Sequence, residues 1–310
     1  MTGPGLTPAA RGLVELLAGS FPALGPGTDV PAVRAALHRP PTGLPALASV
    51  TDRTVPGPEG APDVPVRIYH PGPPDTPGPL PVVLFLHGGG FVLCGLDSHD
   101  GLCRELAAGA GALVVSVDYR LAPEHPAPAA LDDARAALDW VVAHAAGLGG
   151  DPERLAVAGD SAGGTLATGL CLLARERGGP MPAAQVLLYP ALDPAADNAS
   201  TRAFGEGHFL TAAHLRWYWE QYLAGAAPTP FTAPATARDL SGLPPALLVE
   251  AECDPLRDEG RAYAARLTEA EVHTAYGMFH GFTDFTAQLP EAAEAVRRVT
   301  DWLRERLGAA

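Results

Sequence analysis

The sequence predicts an α/β protein built on a mostly parallel sheet with helices on both faces. Three observations predict it. Short, nearly all-apolar runs alternate with amphipathic stretches, as strands buried on both faces alternate with crossover helices. In those stretches apolar residues recur three and four positions apart. A chain of 310 residues, 47% hydrophobic and 18% charged, also suits one large domain and excludes disorder throughout.

The predicted strands are residues 66–69, 82–86, 113–117, 155–158, 186–188, 246–249 and 272–276. Helices are expected over 128–146, where Leu131, Ala134, Leu138, Val141 and Ala145 share a face, and over 162–177 and 292–307. Two segments break the alternation. Residues 1–45 precede the first predicted strand, and residues 190–240 follow the strand ending at Pro190 with a large share of the aromatics. The layout is therefore a catalytic domain of residues 46–189 and 241–310, with a cap of residues 1–45 and 190–240. Within the cap, Leu215, Tyr218, Trp219 and Tyr222 share a helical face over 211–223 and read as cap core.

Charge and cysteine usage narrow the partners. The formal net charge is −14, and every basic residue is Arg because the sequence contains no Lys. Such a chain repels phosphate backbones and anionic surfaces, so neither nucleic acid nor a membrane is expected as a partner. No apolar run approaches the ~18 residues of a membrane span. Cys94, Cys103, Cys171 and Cys253 are widely spaced with no C-x-x-C pair, and read as reduced thiols in a cytoplasmic protein. The histidines show no metal-ligand spacing, so no metal or other cofactor is expected.

The chemistry enters at Gly159-Asp160-Ser161-Ala162-Gly163, a G-x-S-x-G between an apolar strand and a helical run. A serine on so sharp a turn stands clear of the chain, and the flanking glycines let strand and helix approach. Upstream, His87-Gly88-Gly89-Gly90-Phe91 directly follows the strand at 82–86. Consecutive glycines leave backbone N–H groups free to converge on an oxyanion. His87 itself reads as a structural residue tying that loop down.

A serine hydroxyl is a poor nucleophile at neutral pH and needs a base and an orienting acid. On such an elbow the acid and then the base follow the serine in the chain. His280, between glycine-flanked loop residues, is the better base than His273, which falls inside a strand pattern. Asp254, past a strand end and before Pro255, is the better acid, with Glu252 the runner-up. Asp258 and Glu259 suit the first turn of a helix instead.

The segments HGGGF at 87–91, DYRLAPEHPAPAALDDA at 118–134, GDSAGG at 159–164, DPLRDEG at 254–260 and HGF at 280–282 together resemble the hormone-sensitive-lipase family of α/β-hydrolases, which includes many bacterial esterases. The resemblance implies the α/β-hydrolase fold, with an eight-stranded, mostly parallel sheet and a helical cap. It implies a Ser161–Asp254–His280 triad and an oxyanion hole of Gly88, Gly89, Gly90 and Ala162. The N–H groups of Gly89, Gly90 and Ala162 would be its donors, with Gly88 supporting the turn. In 118–134, Arg120, Glu124 and Asp132 or Asp133 would brace loops. Substrate would touch Phe91 and the 204–210 loop through Phe204, Phe209 and Leu210.

The implied activity is a serine carboxylesterase for small-molecule esters of short to medium acyl chain, in a protein that dimerises in many relatives. The same triad would serve an amidase or a deacylase tailoring a natural product. A non-catalytic ligand receptor of this fold is the third reading, and the retained His280 argues against it.

Overall fold

The computed structural model describes residues 5–37, 44–72 and 78–308. Residues 1–4 and 38–43, inside the expected cap, lie outside the described residues. The strands are β1 (Ser49–Val55), β2 (Val64–His70), β3 (Leu80–Leu86), β4 (Leu113–Val117), β5 (Gly150–Asp160), β6 (Ala184–Leu188), β7 (Ala246–Ala251) and β8 (Ala270–Ala275). The helices are α1 (Pro8–Ser20), α2 (Val30–Leu37), α3 (Asp100–Ala110), α4 (Ala129–His144), α5 (Ala162–Arg177), α6 (Ala199–Phe204), α7 (Ala212–Leu223), α8 (Arg257–Ala264) and α9 (Pro290–Leu307). The strands form one eight-stranded sheet in the order β1-β2-β4-β3-β5-β6-β7-β8. Pairing is antiparallel between β1 and β2 and between β2 and β4, and parallel from β4 onward. This is the α/β-hydrolase architecture that the motifs imply.

Side-chain alternation splits the core in two. Val82, Leu84 and Leu86 of β3 enter one cluster with α4 and α5, through Leu131, Leu138 and Leu166. Val83 and Phe85 enter the other with α3 and α9, through Leu106, Val299 and Trp302. A one-residue slip would exchange the two sets. Because each fully buried Leu or Phe stabilises by about 1.5–3 kcal/mol, register is fixed throughout the centre of the sheet.

Seven of the eight strands were legible as apolar runs. The eighth, β1, was not: SVTDRTV is an edge strand with most of its residues exposed, so it carries no apolar signature. It is held by its seven-residue pairing with β2 and by Arg67, whose guanidinium grips both carboxylate oxygens of Asp52 at 2.6 and 3.0 Å. Among the described residues no helix is long and apolar enough to cross a membrane.

The loops that carry the motifs leave β3, β5, β7 and β8 at their C-terminal ends, where parallel sheets gather their sites. The close approach of β5 and α5 to β3 depends on glycine at 159 and 163. A Cβ on Gly163 would stand 1.8 Å from the Leu86 carbonyl oxygen, which is backbone and cannot yield. Gly163→Ala should therefore cost at least ~2 kcal/mol and lower Tm by about 3 °C or more. Gly12→Ala, at an exposed helical position with nothing within 4 Å, should leave Tm unchanged or slightly raised. Equal melting of the two variants in a thermal denaturation series would contradict this packing.

Candidate active site

Ser161 occupies the single residue between β5 and α5, at φ 51° and ψ −117°. Left-handed backbone at a non-glycine residue costs about 1–3 kcal/mol and persists only where its surroundings hold it. Here the Ser161 N–H donates to Leu188 O at 2.8 Å, and its carbonyl accepts from Gly164 N at 3.0 Å and Ala191 N at 3.1 Å. The elbow is thus bound to the strand end of β6 on one side and to α5 on the other.

His280 and Asp254 arrive on the loops after β8 and β7. His280 Nε2 lies 2.9 Å from Ser161 Oγ, and its Nδ1 lies 2.8 Å from Asp254 Oδ2. With Nδ1–H donated to the carboxylate, Nε2 faces the serine as an acceptor. Asp254 is fully buried, and its other oxygen accepts the Leu256 N–H at 2.8 Å. Tyr189 packs edge-on against the His280 ring at 4.9 Å and hydrogen-bonds Thr283, walling the imidazole in. The acid loop is further tied to α6, since Ser200 Oγ and Thr201 Oγ1 both donate to Pro255 O.

The runner-up residues have other partners. Glu252 accepts the Gly277 N–H at 2.8 Å. Glu259 lies in the first turn of α8 and accepts the N–H groups of Leu192 and Asp193.

The glycine loop runs beneath the serine. Gly88 N–H donates to Asp160 Oδ1 at 2.7 Å, so this donor is already spent on the elbow. Among the described residues the N–H groups of Gly89, Gly90 and Ala162 have no partner. Gly89 sits at φ 106° and its carbonyl accepts from Val92 and Leu93, closing a tight turn. A Cβ on Gly90 would meet the Tyr218 ring at 2.2 Å, so α7 lies directly on the loop. His87 is buried, stacked on Tyr119 at 4.2 Å, and pushed down to about 4 by its burial, which suits a neutral structural ring. In the segment after β4, Arg120 clasps Asp133 and Glu124 holds Arg34, whereas Asp132 is exposed.

A cavity of about 180 Å³ opens over Ser161 and His280. Phe91, Phe209 and Leu210 line it. Phe204 does not. Its ring closes the end of α6, buried against His208 and under the Arg257 guanidinium at 5.2 Å, because α6 is anchored to the acid loop and not to the cavity. A second correction concerns α7. Leu215, Tyr218 and Trp219 are cavity wall as well as cap core, and only Tyr222 turns inward, to stack on Phe91 at 3.7 Å.

Sequence reasoning also missed Phe21, Leu37, His99, Asp160 and Asp284 as cavity-lining residues. Asp160 was legible only within the GDSAGG motif, with no role attached to it. Asp284, two residues past the HGF motif, is pushed up to about 6 by its enclosure.

Residues 83–284 match the family described as having the alpha/beta hydrolase fold. The chain is 44% identical over 301 residues to the carboxylesterase NlhH of Mycobacterium tuberculosis, with 92% of each protein covered. The chain belongs to the α/β-hydrolases. Within them it is a member of the hormone-sensitive-lipase family. It is also similar to the ethyl acetate hydrolase of Pseudomonas putida, at 41% identity over 251 residues covering 79% of each chain. Among solved structures, the hyperthermophilic esterase of Pyrobaculum calidifontis superposes with a TM-score of 0.86 at 38% identity, covering 99% of this chain and 100% of the other.

For an α/β-hydrolase with this acid loop, the two acidic candidates make opposite predictions. Asp254→Asn, which favours the wrong imidazole tautomer, should lower kcat by about 10⁴. Glu252→Gln keeps an acceptor for Gly277 and should leave kcat near the wild-type value. Steady-state kinetics in which the two variants fall equally would remove Asp254 from its role.

Proposed function

We propose that this α/β-hydrolase is a serine carboxylesterase that cleaves esters of short to medium acyl chain through an acyl-enzyme on Ser161. The observation that carries this reading is the unbroken line of hydrogen bonds Asp254–His280–Ser161, ending in a cavity beside the backbone N–H groups of Gly89, Gly90 and Ala162, which have no partner among the described residues.

Ser161 Oγ attacks the ester carbonyl carbon as its proton passes to His280 Nε2. Asp254 holds the ring and stabilises the imidazolium that forms. The carbonyl oxygen becomes an oxyanion held by the N–H groups of Gly89, Gly90 and Ala162, each donor being worth ~3 kcal/mol in the transition state. When the intermediate collapses, the ester C–O bond breaks and His280 returns its proton to the leaving alkoxide. Water then attacks the acyl-enzyme with His280 again as base, and the acid leaves. Every proton that is taken is given back, so the cycle needs no metal or other cofactor.

Chain length follows from space. The cavity, at about 180 Å³, is smaller than the roughly 300–1,000 Å³ of drug-sized ligand sites. Its walls are Phe91, Phe209, Leu210, Leu215 and Trp219, apolar groups suited to a short acyl chain. Phe21 and Leu37 from residues 1–45 and the α7 residues from 190–240 support assigning both segments to one cap over the serine.

The four cysteines are unpaired, as thiols are in a reducing compartment, and the reading extends to a cytoplasmic location. It extends also to a homodimer through the outer edge of β8, where Val272 and Tyr276 are 47% and 70% exposed. Sedimentation of wild type as a dimer and of Tyr276→Arg as a monomer would bear this out, and a monomeric wild type would reject it.

Hydrolysis of a p-nitrophenyl ester series from acetate to laurate, beside the matching p-nitroanilides, tests the assignment. Turnover should peak at short chains, favour esters over anilides, and vanish in Ser161→Ala. Faster anilide cleavage would favour the amidase reading. A folded wild type inert to every member would favour the receptor.

A further inference from the structure

Beneath the catalytic serine lies a buried ionic pair that the triad does not use. We propose that His99 is a buried imidazolium whose pairing with Asp160 locks the glycine loop to the nucleophile elbow, making both of them positioning residues for the oxyanion donors. The role rests on the ester-hydrolase reading above.

Asp160 is the residue before Ser161, so whatever its carboxylate holds is fixed relative to the nucleophile. Its Oδ1 accepts the Gly88 N–H at 2.7 Å and lies 3.1 Å from His99 Nε2. Both residues are buried, at 5% and 3% exposure. The fit leaves no slack, since a Cβ on Gly88 would stand 2.1 Å from Asp160 Oδ2. Gly89 and Gly90 have no side chains of their own to anchor, and their peptides are set by the residues on either side. The near side is Gly88 on Asp160, together with Tyr119 Oη donating to His87 O at 2.6 Å. The far side is the turn closed on Gly89 O.

The hydrogen-bond partners around His99 suit a doubly protonated ring. Nε2 faces the carboxylate and must carry a proton. Nδ1 lies 2.9 Å from Ser98 Oγ, but the single proton of that hydroxyl is donated to Gly95 O at 2.8 Å. With its proton so placed, the hydroxyl is an acceptor toward Nδ1, and a protonated Nδ1 completes the contact. Both ring nitrogens then donate, as the proposed cation requires. Gly88 N also lies 3.4 Å from His99 Nε2, a much longer contact than its 2.7 Å bond to Asp160 Oδ1.

The surroundings agree. Burial disfavours charge on His99, but the Asp160 carboxylate outweighs it and raises the imidazole to about 9. Asp160 is held below the usual carboxylate range by the same pair, against its own burial. The other ionisable groups facing the pair are His87, its ring centroid 5.6 Å from that of His99 and pushed down to about 4, Asp284 from the loop after His280, pushed up to about 6, and, toward Asp160, Cys94, Cys103, Tyr119 and Tyr189, all raised by burial. The sign follows directly. The lock is whole at pH values below the ordinary histidine range and is lost as pH rises through about 9.

Misplacing a reacting group by about 1 Å can cost on the order of 10²-fold in rate, so the lock should be visible in kcat. The test is kcat and KM for p-nitrophenyl acetate across pH in wild type, Asp160→Asn, His99→Gln and the double variant. It is paired with ¹H–¹⁵N NMR of the imidazole rings of wild-type enzyme, His99 being assigned by its absence from the His99→Gln spectrum or, if that variant does not fold, by nuclear Overhauser contacts to Phe85.

The expected result is a wild-type kcat that falls above pH ~9 at constant KM. The single variants should lose roughly tenfold or more in kcat with KM little changed. The double variant, left with a neutral hydrogen-bonding pair, should recover part of kcat and show no fall at pH ~9. The His99 ring should be doubly protonated at pH 8. Wild-type kcat in the single variants, an unaltered alkaline fall in the double variant, or a neutral His99 ring at pH 7 would each overturn the proposal. A wild type that does not hydrolyse the ester would instead defeat the esterase reading, and the ring's protonation would still decide whether the cation exists.

Discussion

The backbone of Ser161, held at φ 51°, is the constraint on which the rest of the site depends. It is paid for by a ring of local contacts: the strand end of β6 on its N–H, α5 on its carbonyl, and the empty space at Gly163 that admits the Leu86 carbonyl. Because the serine projects from the C-terminal end of the central strand β5, the other parts have to come to it. Asp254 and His280 do so on the loops after β7 and β8, and the glycine loop does so from β3. Asp160, one residue before the strained position, is carried into contact with Gly88 by the same turn. Strain, nucleophile and oxyanion loop are therefore one mechanical unit.

Histidine is used in three ways within this unit, and the environment alone separates them. His87 is buried against Tyr119 and is kept neutral by its burial. His99 is equally buried but faces a carboxylate, which favours its charge. His280 is framed between Asp254 and Ser161, so that Nδ1 donates and Nε2 remains open to take a proton. Apolar walls from α7 and the 209–210 loop close over this floor of fixed charges. Their apolar surface lowers the local polarity where the oxyanion would form, which strengthens hydrogen bonds there.

How much of this could be read from the sequence depended on whether the physics was local. Strands β3 to β7 were legible because burial on both faces leaves an uninterrupted apolar run. β1 was not, because an edge strand held by Arg67 needs no apolar residues. The elbow and the glycine loop were legible because their geometry demands glycine at fixed offsets. Phe204 was misassigned because apolar identity does not say which way a ring turns; the anchoring of α6 to Pro255 O decides that. Likewise the division of α7 between Tyr222, stacked on Phe91, and Tyr218, lying on Gly90, is set by the rotation of the helix. His99 and Asp160 share no local spacing, and only the fold brings them together.

The most direct measurement of the mechanism is the acyl-enzyme itself. Rapid acid quench during turnover of p-nitrophenyl acetate, followed by peptide mass spectrometry, should find the acetyl group on the peptide containing Ser161. The p-nitrophenol should appear in a burst approaching one equivalent per chain when deacylation is the slower step. An acetyl group on any other residue would contradict the account. So would trapping none from Asp254→Asn as well as wild type, under conditions in which p-nitrophenol is still released.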